Sequence, residues 1–303
     1  MVGSEVSVRV PAKVNLQLSV GPVRPDGFHD LATVFHAVAL HDEVKVRPRT
    51  AGSGIAISCT GDDIDEVPLD SRNLAWQAAS LLAVQARLEP DVEIRIHKSI
   101  PVAGGMAGGS ADAAATLLAC DALWKLDSPR SVLDKLCAEL GSDVTFALHG
   151  GTAIGTGRGE QLTGVLAQGT FHWVFALASE GLSTAAVYAE CDRLRADGDV
   201  PAPAVSESLM QALRAGDPVL LGKSLHNDLQ EAAFSLRPSL KRVIDAGDEA
   251  GALGGIVSGS GPTCAFLART AEHALDIAVS LTSTGLVRSV KRSSGPVPGA
   301  RIG

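Results

Sequence analysis

The chain has 303 residues, 46% of them hydrophobic and 20% charged, which is long enough for two compact domains and excludes disorder, collagen and coiled coil. With 26 Lys and Arg against 34 Asp and Glu, the formal charge is −8; nonspecific binding to nucleic acid or an anionic membrane is disfavoured, and any anionic ligand must be held by local positive groups. The five cysteines, Cys59, Cys120, Cys137, Cys191 and Cys264, are odd in number and lack a C-x-x-C pair, against a disulfide framework or a zinc cluster.

Met1 to Glu5 has neither the basic flank nor the apolar run of a leader. No apolar stretch reaches the ~20 residues of a membrane span, so a soluble cytoplasmic protein is expected. Val6, Val8 and Val10, then Val14, Leu16, Leu18 and Val20, alternate with polar residues as strands do, placing Lys13, Asn15 and Gln17 together on the opposite face. After a loop from Gly21 to Asp30, further strands are expected at Thr33–Leu40, Glu43–Arg47 and Ile55–Cys59. Helix formers at helical spacing predict a helix over Asn73–Arg87. Val92 to Ile96 alternates again, and an Ala-rich helix is expected over Ala111–Leu123, followed by a helical segment around Ser131–Leu140 and a short apolar turn from Gly141-Ser142-Asp143. The first domain is expected to end at 158. In the second, a strand at Phe171–Ala178, several helices between Thr184 and Glu249, strands at Gly254–Ser258 and Cys264–Ala268, a helix after Thr270 and a strand at Leu286–Lys291 suggest an α+β unit over 159–303. Asp197 to Ala204 and the tail Ser293 to Gly303 read as loops.

Between the strand at Val92 and the Ala-rich helix stands Pro101-Val102-Ala103-Gly104-Gly105-Met106-Ala107-Gly108-Gly109-Ser110-Ala111-Asp112. Four glycines in six positions let the backbone approach a polyanion, and the helix that follows offers unpaired N–H groups and the positive end of its dipole. Phosphate is the natural ligand. Asp112 would repel it unless it faces away or holds a metal. The nearest imitation of a Walker A motif, Gly216 to Ser224, has five residues where four are required and reads as a structural turn. G-x-G-x-x-G and G-x-S-x-G are absent, which removes support for a dinucleotide-binding dehydrogenase and a serine hydrolase.

The glycine-rich run resembles the ATP motif of the GHMP kinase superfamily. The start, Pro11-Ala12-Lys13-Val14-Asn15-Leu16, with Arg24-Pro25-Asp26-Gly27-Phe28-His29, Thr33-Val34-Phe35, Gly141-Ser142-Asp143-Val144, Asn227-Asp228-Leu229 and Ser258-Gly259-Ser260-Gly261-Pro262-Thr263, is similar to members that act on a cytidine diphosphate-linked methylerythritol in non-mevalonate isoprenoid synthesis. Ala103, Ala107 and Met106 depart from the usual glycines and leucine, and Phe28 stands where many members have tyrosine.

This resemblance implies a two-domain α+β fold, with an N-terminal domain like the second domain of ribosomal protein S5 and a ferredoxin-like C-terminal domain. It implies ATP and Mg²⁺ as cofactors, with the γ-phosphoryl group passed to the substrate's 2-hydroxyl. Lys13 and Asp143 match the catalytic pair, Pro101 to Ala111 the ATP site, and Ser110 a metal ligand. Asn15, Phe28, His29, Thr184, Tyr188, Gly259, Ser260 and Gly261 match substrate positions. A monomer or weak homodimer is expected. Taken singly, Lys13 also fits a strand-edge charge, Asp143 a helix N-cap, and Asn73 either a cap or an adenine contact. Another GHMP kinase, of homoserine or mevalonate type, and a non-catalytic nucleotide-binding regulator remain as alternatives.

Overall fold

The computed structural model describes residues 5–196 and 198–303. Met1 to Ser4, where the leader was sought, and Asp197, which opens the expected loop to Ala204, lie outside the described residues. In chain order the strands are β1 (Val6–Val23), β2 (His29–Pro48), β3 (Ala56–Gly61), β4 (Val92–Lys98), β5 (Thr152–Thr156), β6 (Gln161–Gly164), β7 (Phe171–Leu177), β8 (His226–Asn227), β9 (Gly254–Val257), β10 (Cys264–Ala268), β11 (Ser289–Gly295) and β12 (Arg301–Ile302). The helices are α1 (Leu74–Ala86), α2 (Gly108–Trp124), α3 (Arg130–Leu140), α4 (Ser142–His149), α5 (Thr184–Leu194), α6 (Glu207–Ala215), α7 (Pro218–Lys223), α8 (Gln230–Leu236), α9 (Ser239–Glu249) and α10 (Ala271–Ser283).

The first sheet runs β12-β1-β2-β4-β3, with the β5–β6 hairpin on β2 and β8 parallel to β1. The two short strands expected on either side of Pro11 are one long strand. Proline has no N–H for a regular ladder, and the chain accommodates it with a register shift between Pro11 and Ala12. Helix α2 packs against β1, β2, α1 and α4, and Ala113, Ala114, Ala115, Leu117, Ala119 and Cys120 are all buried. A helix apolar all round belongs inside.

The second sheet runs β11-β7-β10-β9, antiparallel throughout. Counted along the chain this is the order 4-1-3-2 of a βαββαβ unit, the ferredoxin-like arrangement. The expected division at 158/159 falls in the turn of the β5–β6 hairpin, and β6, β8 and β12 return later parts of the chain to the first sheet.

Two expectations are corrected. The tail is not all loop: β11 continues to Gly295 because its backbone pairs with Phe171–Leu177, and Arg301–Ile302 pairs with β1. Gly141-Ser142-Asp143 opens the eight-residue helix α4 rather than a turn, with Val144, Phe146 and Leu148 buried beneath it. The Walker-like segment is a helix junction in which Gly216 (φ 64°) ends α6 and the Asp217 side chain caps α7. All five cysteines are free thiols.

Candidate active site

Beyond β4 the chain turns through Pro101–Ala107 into α2, which starts three residues before the expected Ala111. Gly108, Gly109 and Ser110 therefore form its first turn, where amide N–H groups have no intrahelical partner, and the first regular bond is from Ala111 N to Ala107 O. The loop is held at close quarters. Gly105 has φ +73°, and a Cβ there would lie 2.2 Å from the Ser258 carbonyl oxygen. Ala103 and Ala107 also take left-handed backbone, at φ 51° and 60°, in the positions where glycine is customary.

Asp112 faces away from the loop's open side. It is buried beneath α2 with Lys98, whose ammonium donates to Asp112 Oδ2 at 2.7 Å and also to Asp42 Oδ2. The other oxygen of Asp42 accepts from the amides of Ser99 and Ile100 at 2.6 and 2.8 Å. Burial pushes the Asp112 carboxyl up to about 8 against the opposing pull of Lys98. An anion in the loop would thus meet no negative side chain from this turn.

Across the cleft from α2, strand β1 presents Lys13 and Asn15 on one face, as the period of two requires. Lys13 is buried, donates to Asn15 Oδ1 at 2.6 Å, and lies 3.6 Å from Asp143 Oδ2. Asn15 in turn donates to Thr33 Oγ1 at 2.8 Å, and the Lys13 ammonium stands 5.7 Å from the centre of the Phe35 ring. Asp143 lies inside the first turn of α4; Gly141 occupies the cap position, with no side-chain cap bond. The N-terminus of α4 favours a carboxylate there, as does Lys13.

Residues from the second half of the chain close the other side. Thr184 Oγ1 is 2.8 Å from Ser260 Oγ, and Ser258 Oγ donates to the Gly105 carbonyl at 3.0 Å, joining the two glycine loops. Tyr188 packs its ring 5.2 Å from that of His29, whose Nε2 is engaged by Asp192 at 2.8 Å. Phe28 is half exposed, and the Arg158 guanidinium lies over its ring at 4.9 Å.

These groups bound one cleft of about 500 Å³, a size that suits a nucleotide-like ligand. Of the expected residues, Lys13, Asn15, Asp143, Thr184, Tyr188, Gly259 and Ser260 line it, together with Pro101, Ala103, Gly104, Gly105, Ala107, Gly108, Gly109 and Ser110. Met106 and Ala111 are buried in the core behind the loop, and Val102 faces a smaller hollow shared with Arg288. Phe28, His29 and Gly261 are not among the residues that line it. Asn73 caps α1, its Oδ1 accepting from Ala75 N and its Nδ2 donating to Pro68 O, both at 2.8 Å. Thr33 and Phe35, which the resemblance names without giving them a role, line the cleft, and so does Arg158, which belongs to none of the motifs. For Arg158 the available signal was a lone cation between two glycines of a hairpin in an acidic chain.

Among the described residues no three His, Cys, Asp or Glu side chains cluster to hold a metal. The Ser110 hydroxyl and Asp143 carboxylate that share the cleft do fit a Mg²⁺ bound mainly through phosphates, since that ion keeps few protein ligands. No helix among the described residues is long and apolar enough to cross a membrane.

Comparison with known proteins gives two family matches, GHMP kinases N terminal domain over residues 73–151 and GHMP kinases C terminal over residues 209–285. The chain is 57% identical to a 4-diphosphocytidyl-2-C-methyl-D-erythritol kinase of Rhodococcus jostii, covering 98% of this chain and 94% of that protein. It is 57% identical to one of Thermobifida fusca, over 99% and 98%. A crystal structure of 4-(cytidine 5'-diphospho)-2C-methyl-D-erythritol kinase superposes with a TM-score of 0.78 at 33% identity, over 95% of this chain and 98% of the other.

Proposed function

The chain belongs to the GHMP kinase family, and from that premise we propose that it transfers the γ-phosphoryl group of ATP to the 2-hydroxyl of 4-diphosphocytidyl-2-C-methyl-D-erythritol, in non-mevalonate isoprenoid precursor synthesis. The observation that carries this reading is the Lys13–Asp143 pair, set in the same cleft as the amide-rich first turn of α2.

Phosphoryl transfer passes through a loose, charge-dispersed transition state, so the protein mainly aligns oxygens and neutralises charge. The amides of Gly108, Gly109 and Ser110 and the α2 dipole hold the phosphates. Asp143 accepts the hydrogen bond of the substrate hydroxyl and takes up its proton as the new P–O bond forms and the bond to the ADP oxygen breaks. Lys13, 3.6 Å from that carboxylate, offsets charge building on the attacking oxygen. Mg²⁺, held by the phosphates with Ser110, would supply further charge neutralisation. Asn15 fixes Lys13 through its 2.6 Å hydrogen bond.

The cytosine lies at the Tyr188 and Phe28 end, with His29 toward its polar edge and Arg158 supplying the cation that an acidic protein needs beside a diphosphate. Thr184, Gly259, Ser260 and Gly261 hold that linker. We assign ATP binding and catalysis to 1–158 and closure over the substrate to 159–303, in a cytoplasmic monomer or weak homodimer. Purified protein with ATP, Mg²⁺ and the cytidyl alcohol should release ADP. Turnover with homoserine or mevalonate instead, or ATP binding without turnover, would contradict the reading.

A further inference from the structure

Asn227 belongs to none of the groups assigned above, yet it is tied to two walls of the cleft. It sits on β8, opposite Leu18 of β1, the strand that carries Lys13 and Asn15. Its side chain is buried with every strong hydrogen-bonding capacity directed at backbone: Nδ2 donates to Val257 O and Gly259 O, both at 2.8 Å, and Oδ1 accepts from Leu229 N at 2.9 Å. Asn227 does not line the cleft; it borders a separate hollow of about 440 Å³.

The turn that it holds is Ser258-Gly259-Ser260-Gly261. Ser258 N donates to Thr263 O and Gly261 N to Ser258 O, each at 2.9 Å. The Ser260 amide has no protein acceptor among the described residues. In a trans peptide the C=O of Gly259 and the N–H of Ser260 point in opposite directions. A side chain that draws the Gly259 oxygen backward therefore turns the Ser260 N–H forward, and Gly259 and Ser260 both line the cleft.

We propose that Asn227 is a positioning residue that aims the Ser260 amide at the anionic linker of the alcohol substrate. This rests on the function proposed above, because the linker is the ligand that needs the donor. Asn227 touches neither substrate nor nucleotide; it acts through the turn. Ser258, bonded to Gly105, holds the same turn against the ATP loop, so the substrate side can be disturbed with the nucleotide side in place.

The test is steady-state kinetics of N227A, with N227D as a second variant of unchanged shape that keeps the acceptor and loses both donors. The KM for the cytidyl alcohol should rise on the order of tenfold in each, as a buried carbonyl pair loses its donors, while the KM for ATP stays within about twofold. Loss of active protein alone would lower the apparent kcat and leave both KM values unmoved. That result, or an equal rise in both, would overturn the proposal. Should neither variant fold, hydrogen exchange in the wild-type chain decides: the cytidyl alcohol should protect the Ser260 amide, and no added protection would overturn the role. Failure of the functional reading itself is distinguishable, because the wild-type protein would then not turn over the cytidyl alcohol.

Discussion

The Lys13 ammonium lies 3.6 Å from Asp143 Oδ2, although one residue stands on β1 and the other in the first turn of α4. The pair forms because strand and helix meet at the cleft floor, where Lys13 is already fixed by Asn15. D143N keeps the shape and removes the proton acceptor, so kcat should fall about 10²- to 10⁴-fold. K13A should fall comparably, and ATP should bind both variants within about threefold of wild type, measured by equilibrium titration. Near-normal turnover in either variant would separate the pair from the chemistry.

The Asp112 carboxyl, buried with Lys98, makes stability depend on pH. The Asp112 carboxyl is pushed up to about 8, chiefly by burial, whereas in the unfolded chain it titrates near 3.9. Between about pH 4 and 8 the folded protein keeps a proton that the unfolded chain has released. This group's contribution to stability therefore declines as pH rises through that window, by at most roughly 1.4 kcal/mol per unit, and levels off above it. D112N cannot titrate and should lack this component. Denaturant midpoints across the window should fall more steeply for wild type than for D112N; parallel curves would contradict the assignment.

Arg158 lines the cleft, its guanidinium lying over Phe28 at 4.9 Å. R158A removes a cation–π partner worth about 0.5–1 kcal/mol at an exposed site, together with the positive charge proposed to face the diphosphate. The KM for the cytidyl alcohol should rise about 3- to 10-fold while ATP affinity holds. A change confined to ATP would place this side chain at the other substrate.

Asn73 has both ends of its amide engaged at the start of α1. N73A should lower stability by about 1 kcal/mol through the lost cap and leave the KM for ATP unchanged. A raised KM for ATP with undiminished stability would make it an adenine contact instead.

Much of this arrangement was legible in the residues. The alternation of Val6 to Val20 placed Lys13 and Asn15 on one face, and the glycines before Ala111 marked a loop that lines the cleft. Helix α4 was harder to read, because it has eight residues and a glycine at its cap; tertiary burial of Val144, Phe146 and Leu148 sustains it. Lys98 and Asp42 gave no local signal, since the partners lie 56 positions apart and meet only when β2 and β4 pair. Ala103 and Ala107 read as tolerated departures, and their positive φ shows what the loop demands of any residue there. The end of β11 beyond Lys291 and the whole of β12 escaped notice because small and polar residues carry them, and their order comes from the neighbouring backbone.

Phosphorus NMR of the reaction mixture, with wild type and D143N side by side, reads the transfer step most directly. Wild type should convert ATP and the cytidyl alcohol into ADP and a single phosphomonoester on the tertiary C2 oxygen, in equal amounts, and D143N should leave both reactants essentially unchanged. A phosphate on any other oxygen, free phosphate alone, or product formed equally fast by D143N would contradict transfer at the Lys13–Asp143 pair.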